Sequence, residues 1–271
     1  MNGEPRGELK PELGLLDATM INVGTMVASA IFIVPATIAA KFSGVFPAIL
    51  VWVVGGLVSL FGALCVAELG AAMPKAGGQF VYLQRAYGPI WGFLYGWGSS
   101  LVINPASIAA IAVGFATYLN YFAVELGFPL GQLGIKVAAV VSIMALTVVN
   151  CYGVKLGALI QNVMTIAKIV AVIAIVAACF MLPGGSSANW QPFWAVESWT
   201  SLIGTFGVAT VATLWAYDGW IEITYVGSEM KRPGRDMPLS IIISTLLVVA
   251  LYVATTIGLT YVLGHAAVGR S

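Results

Sequence analysis

The chain has 271 residues, of which 60% are apolar and only 8% charged; soluble proteins run near about 45–50% apolar and about 25% charged. Its net charge of +1 offers no basic field for nucleic acid. Three cysteines, Cys65, Cys151 and Cys179, lie inside apolar stretches, which argues against a disulfide framework or metal site and for small buried apolar residues.

The N-terminal segment 1–14 mixes acidic and basic residues and lacks the basic start, short apolar core and cleavage site of a signal peptide. Beyond it, residues 18–40, 42–67, 86–124, 137–154 and 237–264 carry no charge. A hydrocarbon span needs about 20 mostly apolar residues, so these runs read as membrane spans rather than as one-sided soluble helices. Seven spans are predicted, at about 15–39, 45–71, 90–122, 135–153, 159–182, 200–227 and 239–263. All are expected to be helical, because a backbone facing lipid must satisfy its own hydrogen bonds.

Spans 1 and 6 differ from the rest. The first holds Gly24 and the small run Ala28, Ser29 and Ala30, ahead of Pro35; the sixth holds Asp218 beside Gly219. A glycine inside a helix costs about 1 kcal/mol against alanine, and a mid-membrane carboxylate costs about 2.5–3.5 kcal/mol. Both together predict a broken helix lining a cavity, and two interrupted spans at matching places mark a transporter's substrate site. Being five helices apart, they suit a five-helix repeat. The expected organisation is a cytoplasmic segment 1–14, a first repeat 15–182, an extracellular loop 183–199, the start of a second repeat 200–264, and an extracellular end 265–271.

Orientation follows from the basic residues of the connections. Arg6, Lys10, Lys75, Arg85, Lys155, Lys231, Arg232 and Arg235 fall on the side of the N-terminus, against Lys41, Lys136 and Arg270 on the other. A multi-pass protein of the cell membrane with a cytoplasmic N-terminus is expected.

Four stretches then carry a family resemblance: GTMVASAIFIVP (24–35), AELGAAMPKAGGQFVYLQRAYGP (67–89), NPASIAAIAVGFATYL (104–119) and WAYDGWIEITYVGSEMKRPGRDMP (215–238). In order and at this spacing, the chain resembles the amino acid–polyamine–organocation superfamily, most closely its L-type amino acid transporter branch and bacterial relatives. The resemblance runs from about residue 13 to the end of helix 7. It implies an all-α, LeuT-like inverted-repeat fold, with the first repeat complete and the second partly present, so the chain is expected to be truncated after helix 7. It also implies an amino acid or related small amine as substrate, carried across the bilayer by alternating access, as a permease or an exchanger.

By position, the resemblance places the substrate carboxylate at the amides of Ala28, Ser29 and Ala30, which suits freed amides at a half-helix N-terminus. It places the ammonium group at the carbonyls of Met26, Trp215, Ala216 and Asp218, with the Trp215 ring as a gate. Two departures stand out. The family has glycine where Ala28 and Ala30 stand, and alanine narrows the backbone freedom. Asp218 replaces a glycine of the side-chain pocket, which would favour an amine-bearing substrate or a titrating proton. Lys168, alone in the charge-free middle of helix 5, matches a lysine that joins helix 5 to helices 1 and 8 in place of a sodium ion; snorkelling is the alternative. Asp218 and Glu222 share a face if helix 6 stays regular between them, as a proton relay, a cation site, or a lining of the vestibule.

Glu229 reads as a cytoplasmic boundary, His265 as an ordinary loop residue, and most Trp and Tyr residues as interfacial anchors. The pair Gly55 and Gly56, with Gly96 and Gly98, reads as close helix packing. No catalytic constellation, cofactor motif or metal-ligand spacing is found, so neither an enzyme nor a cofactor is expected. A non-transporting remnant of a permease is the second reading. A seven-helix receptor is the third, against which the two breaks and the ordered motifs argue.

Overall fold

The structure, a computed structural model, describes residues 11–181, 183–195 and 198–270. Arg6 and Lys10, and with them most of the predicted segment 1–14, lie outside the described residues, as do 182, 196, 197 and 271. Among the described residues the chain is helical, and its only strand-like feature is an isolated parallel bridge between Leu13 and Met230.

The helices in chain order are α1 (Leu15–Met26), α2 (Ala30–Ala39), α3 (Val45–Ala72), α4 (Gln79–Tyr87), α5 (Pro89–Gly98), α6 (Asn104–Glu125), α7 (Gly131–Cys151), α8 (Val154–Met181), α9 (Trp199–Ala216), α10 (Pro233–Leu263) and the short α11 (His265–Val268). Among the described residues six helical stretches are long and apolar enough to cross a membrane, and a seventh forms when α1 and α2, bent by 48° at their break, count as one span. This is an all-α, multi-pass membrane protein.

Local departures from the predicted spans have physical causes. Span 3 holds a π-helical turn, Ser99–Ile103, between α5 and α6. Pro105 follows at once, and its missing N–H removes an α-helical donor where the helix widens. Span 6 is α-helical only to Ala216, and the stretch Glu222–Glu229 is 3₁₀-helical. Span 7 begins earlier than predicted, because Pro233 suits the first position of a helix. Pro35 sits inside α2.

The chain divides into two compact units, one of residues up to Gly78 together with Leu159 onward, the other Gln79–Ala158. In the second unit, Ala112 and Ala116 of α6 meet Ala139 of α7, small residues that let two membrane helices approach closely. Gly88, at φ +99°, turns the chain between α4 and α5.

In the first unit, α3 is clasped between two helices. A Cβ at Gly55 would lie 2.8 Å from Thr213 Cβ on α9, and one at Gly56 would lie 2.5 Å from Val249 Cγ2 on α10. The predicted packing role of this pair is what the structure shows. The buried core joins Val23, Met26, Ile31 and Val34 of α1 and α2 to Trp52, Tyr217, Val248 and Tyr252. Trp52 is thus a core residue rather than an interfacial anchor. The cysteines are free: Cys65 and Cys151 are exposed and Cys179 is half-buried, so two of the three lie on outer helix faces and not in the core as expected.

Backbone bonds close the Leu13 end of this unit. The amides of Glu12 and Leu13 donate to the Glu229 carbonyl at 2.8 and 2.9 Å, and the Lys231 amide donates to the Leu13 carbonyl at 2.9 Å. The Ala76 amide donates to Ser228 Oγ at 2.7 Å, and the Gly77 amide to the Tyr225 carbonyl at 3.2 Å. Burial first, and the Glu12 carboxylate second, push the Glu229 carboxyl above its usual range. A raised carboxyl pKa favours the folded junction at low pH, and that contribution is lost as pH rises through the folded value. Glu229→Gln is therefore expected to tighten the junction near pH 7 and to change little near pH 4. Slower hydrogen exchange at the Leu13 and Lys231 amides of the variant, seen near pH 7 only, is the measurement.

Candidate functional site at the two helix breaks

The first break spans Val27–Ser29. Val27 leaves helical geometry at ψ 85°, and the Ala28 amide folds back onto the Met26 carbonyl at 2.9 Å. The helix restarts at Ala30, and Ser29 makes no side-chain cap bond. The amides of Ser29 and Ala30 head α2, where a helix leaves its first N–H groups without intrahelical acceptors. Ala28 and Ser29 are exposed and Ala30 is buried.

The second break follows Ala216. The Asp218 amide donates to the Trp215 carbonyl at 3.2 Å, and the chain resumes as a 3₁₀ turn in which Glu222 donates to Gly219 at 3.4 Å. Between them Gly219 takes φ +118°, a conformation that L side chains rarely adopt. Asp218 Oδ1 accepts its neighbour's Gly219 amide at 3.0 Å. The carbonyls of Ala216 and Asp218 accept no backbone N–H among the described residues. Asp218 and Glu222 do not share the face of a regular helix, because the helix is unwound between them. Asp218 is exposed and Glu222 half-buried.

The two breaks touch. A Cβ at Gly219 would lie 2.9 Å from Thr25 Cγ2 and 3.1 Å from the Met26 amide nitrogen, so the second break presses its bare backbone against the first. Tyr252 of α10 donates its hydroxyl to the Met26 carbonyl at 2.6 Å. With the Ala28 amide there as well, both lone pairs of that carbonyl are taken. Tyr217, at the second break, donates to the Trp52 carbonyl at 3.0 Å. The rings of Trp52, Tyr217 and Tyr252 stack or meet edge-on with centroids 5.3–5.8 Å apart, an arrangement aromatic quadrupoles favour. Asn22 of α1 accepts the Ile223 amide at 3.1 Å.

A ladder from α8 reaches α1. Asn162 Nδ2 donates to Asp17 at 2.7 Å, Thr165 to the Met20 carbonyl at 3.1 Å, and Lys168 Nζ to the Gly24 carbonyl at 2.9 Å. The spacing 162, 165, 168 follows one face of a helix. Gly24 leaves the room: a Cβ there would collide with Gln161 and Thr165. Lys168 thus joins α8 to α1.

The structure brings Met26, Ala28, Ser29, Ala30, Ala216 and Asp218 to the two breaks. Trp215 stands on the last turn of α9 with 59% of its surface exposed. Asn22, Trp52 and Tyr252 were not anticipated. Each sits in an otherwise apolar run, and only the polar amide of Asn22 gave a signal.

A separate cavity of about 400 Å³ lies at the far ends of α2 and α10, lined by Phe42, Gln191, His265 and Arg270 among others. His265 is not an ordinary loop residue. It is buried, and its Nε2 stands 2.6 Å from the Phe42 carbonyl.

A family model described as amino acid permease matches residues 13–270. The chain is 37% identical over 246 residues to the human b(0,+)-type amino acid transporter 1, covering 90% of this chain and 50% of that one. It is 34% identical over 264 residues to the Bacillus subtilis serine/threonine exchanger SteT, covering 97% and 57%. A mouse large neutral amino acids transporter small subunit 2 shows 34% identity over 251 residues, covering 92% and 47%. The chain spans about half the length of the curated relatives it matches.

Proposed function

The chain belongs to the amino acid permease family, and from that premise we propose that it binds amino acids at the breaks of helices 1 and 6 and moves them across the cell membrane by alternating access, as a permease or exchanger. The observation that carries this reading is the contact of the two breaks, with Gly219 backbone against Thr25 and Met26. Two unwound helices meeting in mid-membrane place amides and carbonyls where no helix consumes them, and irregular backbone at that depth is tolerated only in protein or beside water.

The substrate carboxylate takes the amides of Ser29 and Ala30, with Ala28 beside them. The ammonium group takes the carbonyls of Ala216 and Asp218, next to those of Trp215 and Met26. The Met26 carbonyl already holds the Tyr252 hydroxyl, so an arriving ammonium group shares or displaces that bond. Asp218 and Glu222 give the site negative charge, suited to an amine-bearing side chain or to a coupled proton. The excess of basic residues on the Leu13 side puts the N-terminus in the cytoplasm.

Uptake or exchange of radiolabelled amino acids by the chain in proteoliposomes tests the reading. Trp215→Ala is expected to reduce uptake at least tenfold, about 1.4 kcal/mol of lost transition-state or substrate binding, while the protein still inserts. Wild-type uptake in that variant overturns the pocket, and a chain that neither binds nor carries any amino acid overturns the function.

A further inference from the structure

Asn22 stands on α1, fully buried, and its amide is only half used. Oδ1 accepts the Ile223 amide at 3.1 Å, while Nδ2 has no partner among the described residues. A buried polar group with an unmet donor is costly, and an apolar side chain would occupy the same space without that penalty. Packing alone therefore does not explain an asparagine here.

The bond it makes does. In a continuous α-helix the Ile223 amide would donate to the carbonyl of Gly219, four residues back. Here span 6 is unwound, and the Gly219 carbonyl receives the Glu222 amide instead. Thr224 likewise donates three residues back, to Ile221. The break strands the Ile223 N–H, and Asn22 supplies the acceptor from the neighbouring broken helix. Two further contacts run along the same pair of segments. The Gly219 backbone lies on Thr25 and Met26, and Leu13 pairs with Met230 at the other end. Asn22 supplies a side-chain bond between them.

We infer that Asn22 is a positioning residue that fastens α1 to the unwound half of span 6, so that the two faces of the substrate cradle move together. The role rests on the proposed binding at the breaks, but the fastening itself does not need a substrate. Asn22→Leu removes the acceptor and keeps the branched shape with a bulkier side chain, whereas Asn22→Asp keeps the acceptor and the shape.

Hydrogen exchange by mass spectrometry on the full chain in nanodiscs reads the fastening directly. In Asn22→Leu, exchange of the Ile223 amide is expected to rise at least tenfold, and exchange over 25–30 to rise with it; in Asn22→Asp both stay within about threefold of wild type. Affinity for L-serine, L-leucine or L-lysine, whichever the wild type binds, falls at least fivefold in Asn22→Leu and recovers in Asn22→Asp. Unchanged exchange in Asn22→Leu, or equal increases in both variants, overturns the inference. Should Asn22→Leu fail to insert, Asn22→Ala is read by the same criteria. If the wild type binds none of the three amino acids, the exchange data alone decide the role of Asn22.

Discussion

Gly219→Ala is expected to abolish amino-acid binding and to lower the thermal stability of the chain in nanodiscs. Two costs fall on one methyl group. A non-glycine residue forced to φ +118° costs about 1–3 kcal/mol. The added Cβ must also push Thr25 and the Met26 backbone away from separations of 2.9–3.1 Å, and overpacking costs about 1–3 kcal/mol more. The neighbour that has to move is partly backbone, which cannot rotate aside as a flexible side chain would. Relief comes only by separating the two breaks, which dismantles the cradle. Thermal unfolding and amino-acid binding check the outcome together, and a variant with wild-type values of both shows that the breaks do not meet through Gly219.

Trp52→Ala should be the most damaging core substitution. The ring is fully buried and packs on Tyr217 and Tyr252, each of which holds a break-related bond. Its removal leaves a cavity beneath both breaks, at about 3–5 kcal/mol. In lipid the cavity part carries most of that cost, because packing and not solvent exclusion binds helices in a membrane. Trp52→Phe should cost much less. The Nε1 donor of Trp52 has no partner among the described residues, so phenylalanine gives up an unsatisfied buried group along with part of the ring. Melting curves of the two variants provide the comparison, and equal losses from both would show that the indole itself is required.

Much of this was legible in sequence, and the reasons are specific. Five of the seven spans follow from charge-free runs, since lipid admits few charges, and each run maps onto a helix or a broken pair. The break in span 6 could be foreseen at Asp218 and Gly219, because a glycine beside a mid-membrane carboxylate is a local sign of unwinding. The 3₁₀ form of the stretch after it could not be foreseen. It packs against Pro74, Ala76 and Gly77, more than a hundred residues away in sequence. The site was legible in part for the same reason. Small residues at 28–30 mark the first break, but the Met26 carbonyl looks free until Tyr252 is placed beside it. Tyr252 and Trp52 are ordinary members of apolar runs, and only tertiary packing turns them toward the breaks. Asp218 and Glu222 show the reverse case. Their spacing of four gives one face only on a regular helix, and the chain is unwound between them. His265 looked like a loop residue because nothing local shows that the turn after α10 folds onto Phe42.

The most direct test of the cradle is hydrogen exchange of the full chain in nanodiscs, with and without a saturating mixture of L-amino acids. Binding at the breaks predicts slower exchange confined to the amides of 28–30 and 217–223, with the ends of α3 and α7 unchanged. Amino-acid binding that leaves both breaks unprotected, or that protects instead the cavity around Phe42 and His265, would contradict it.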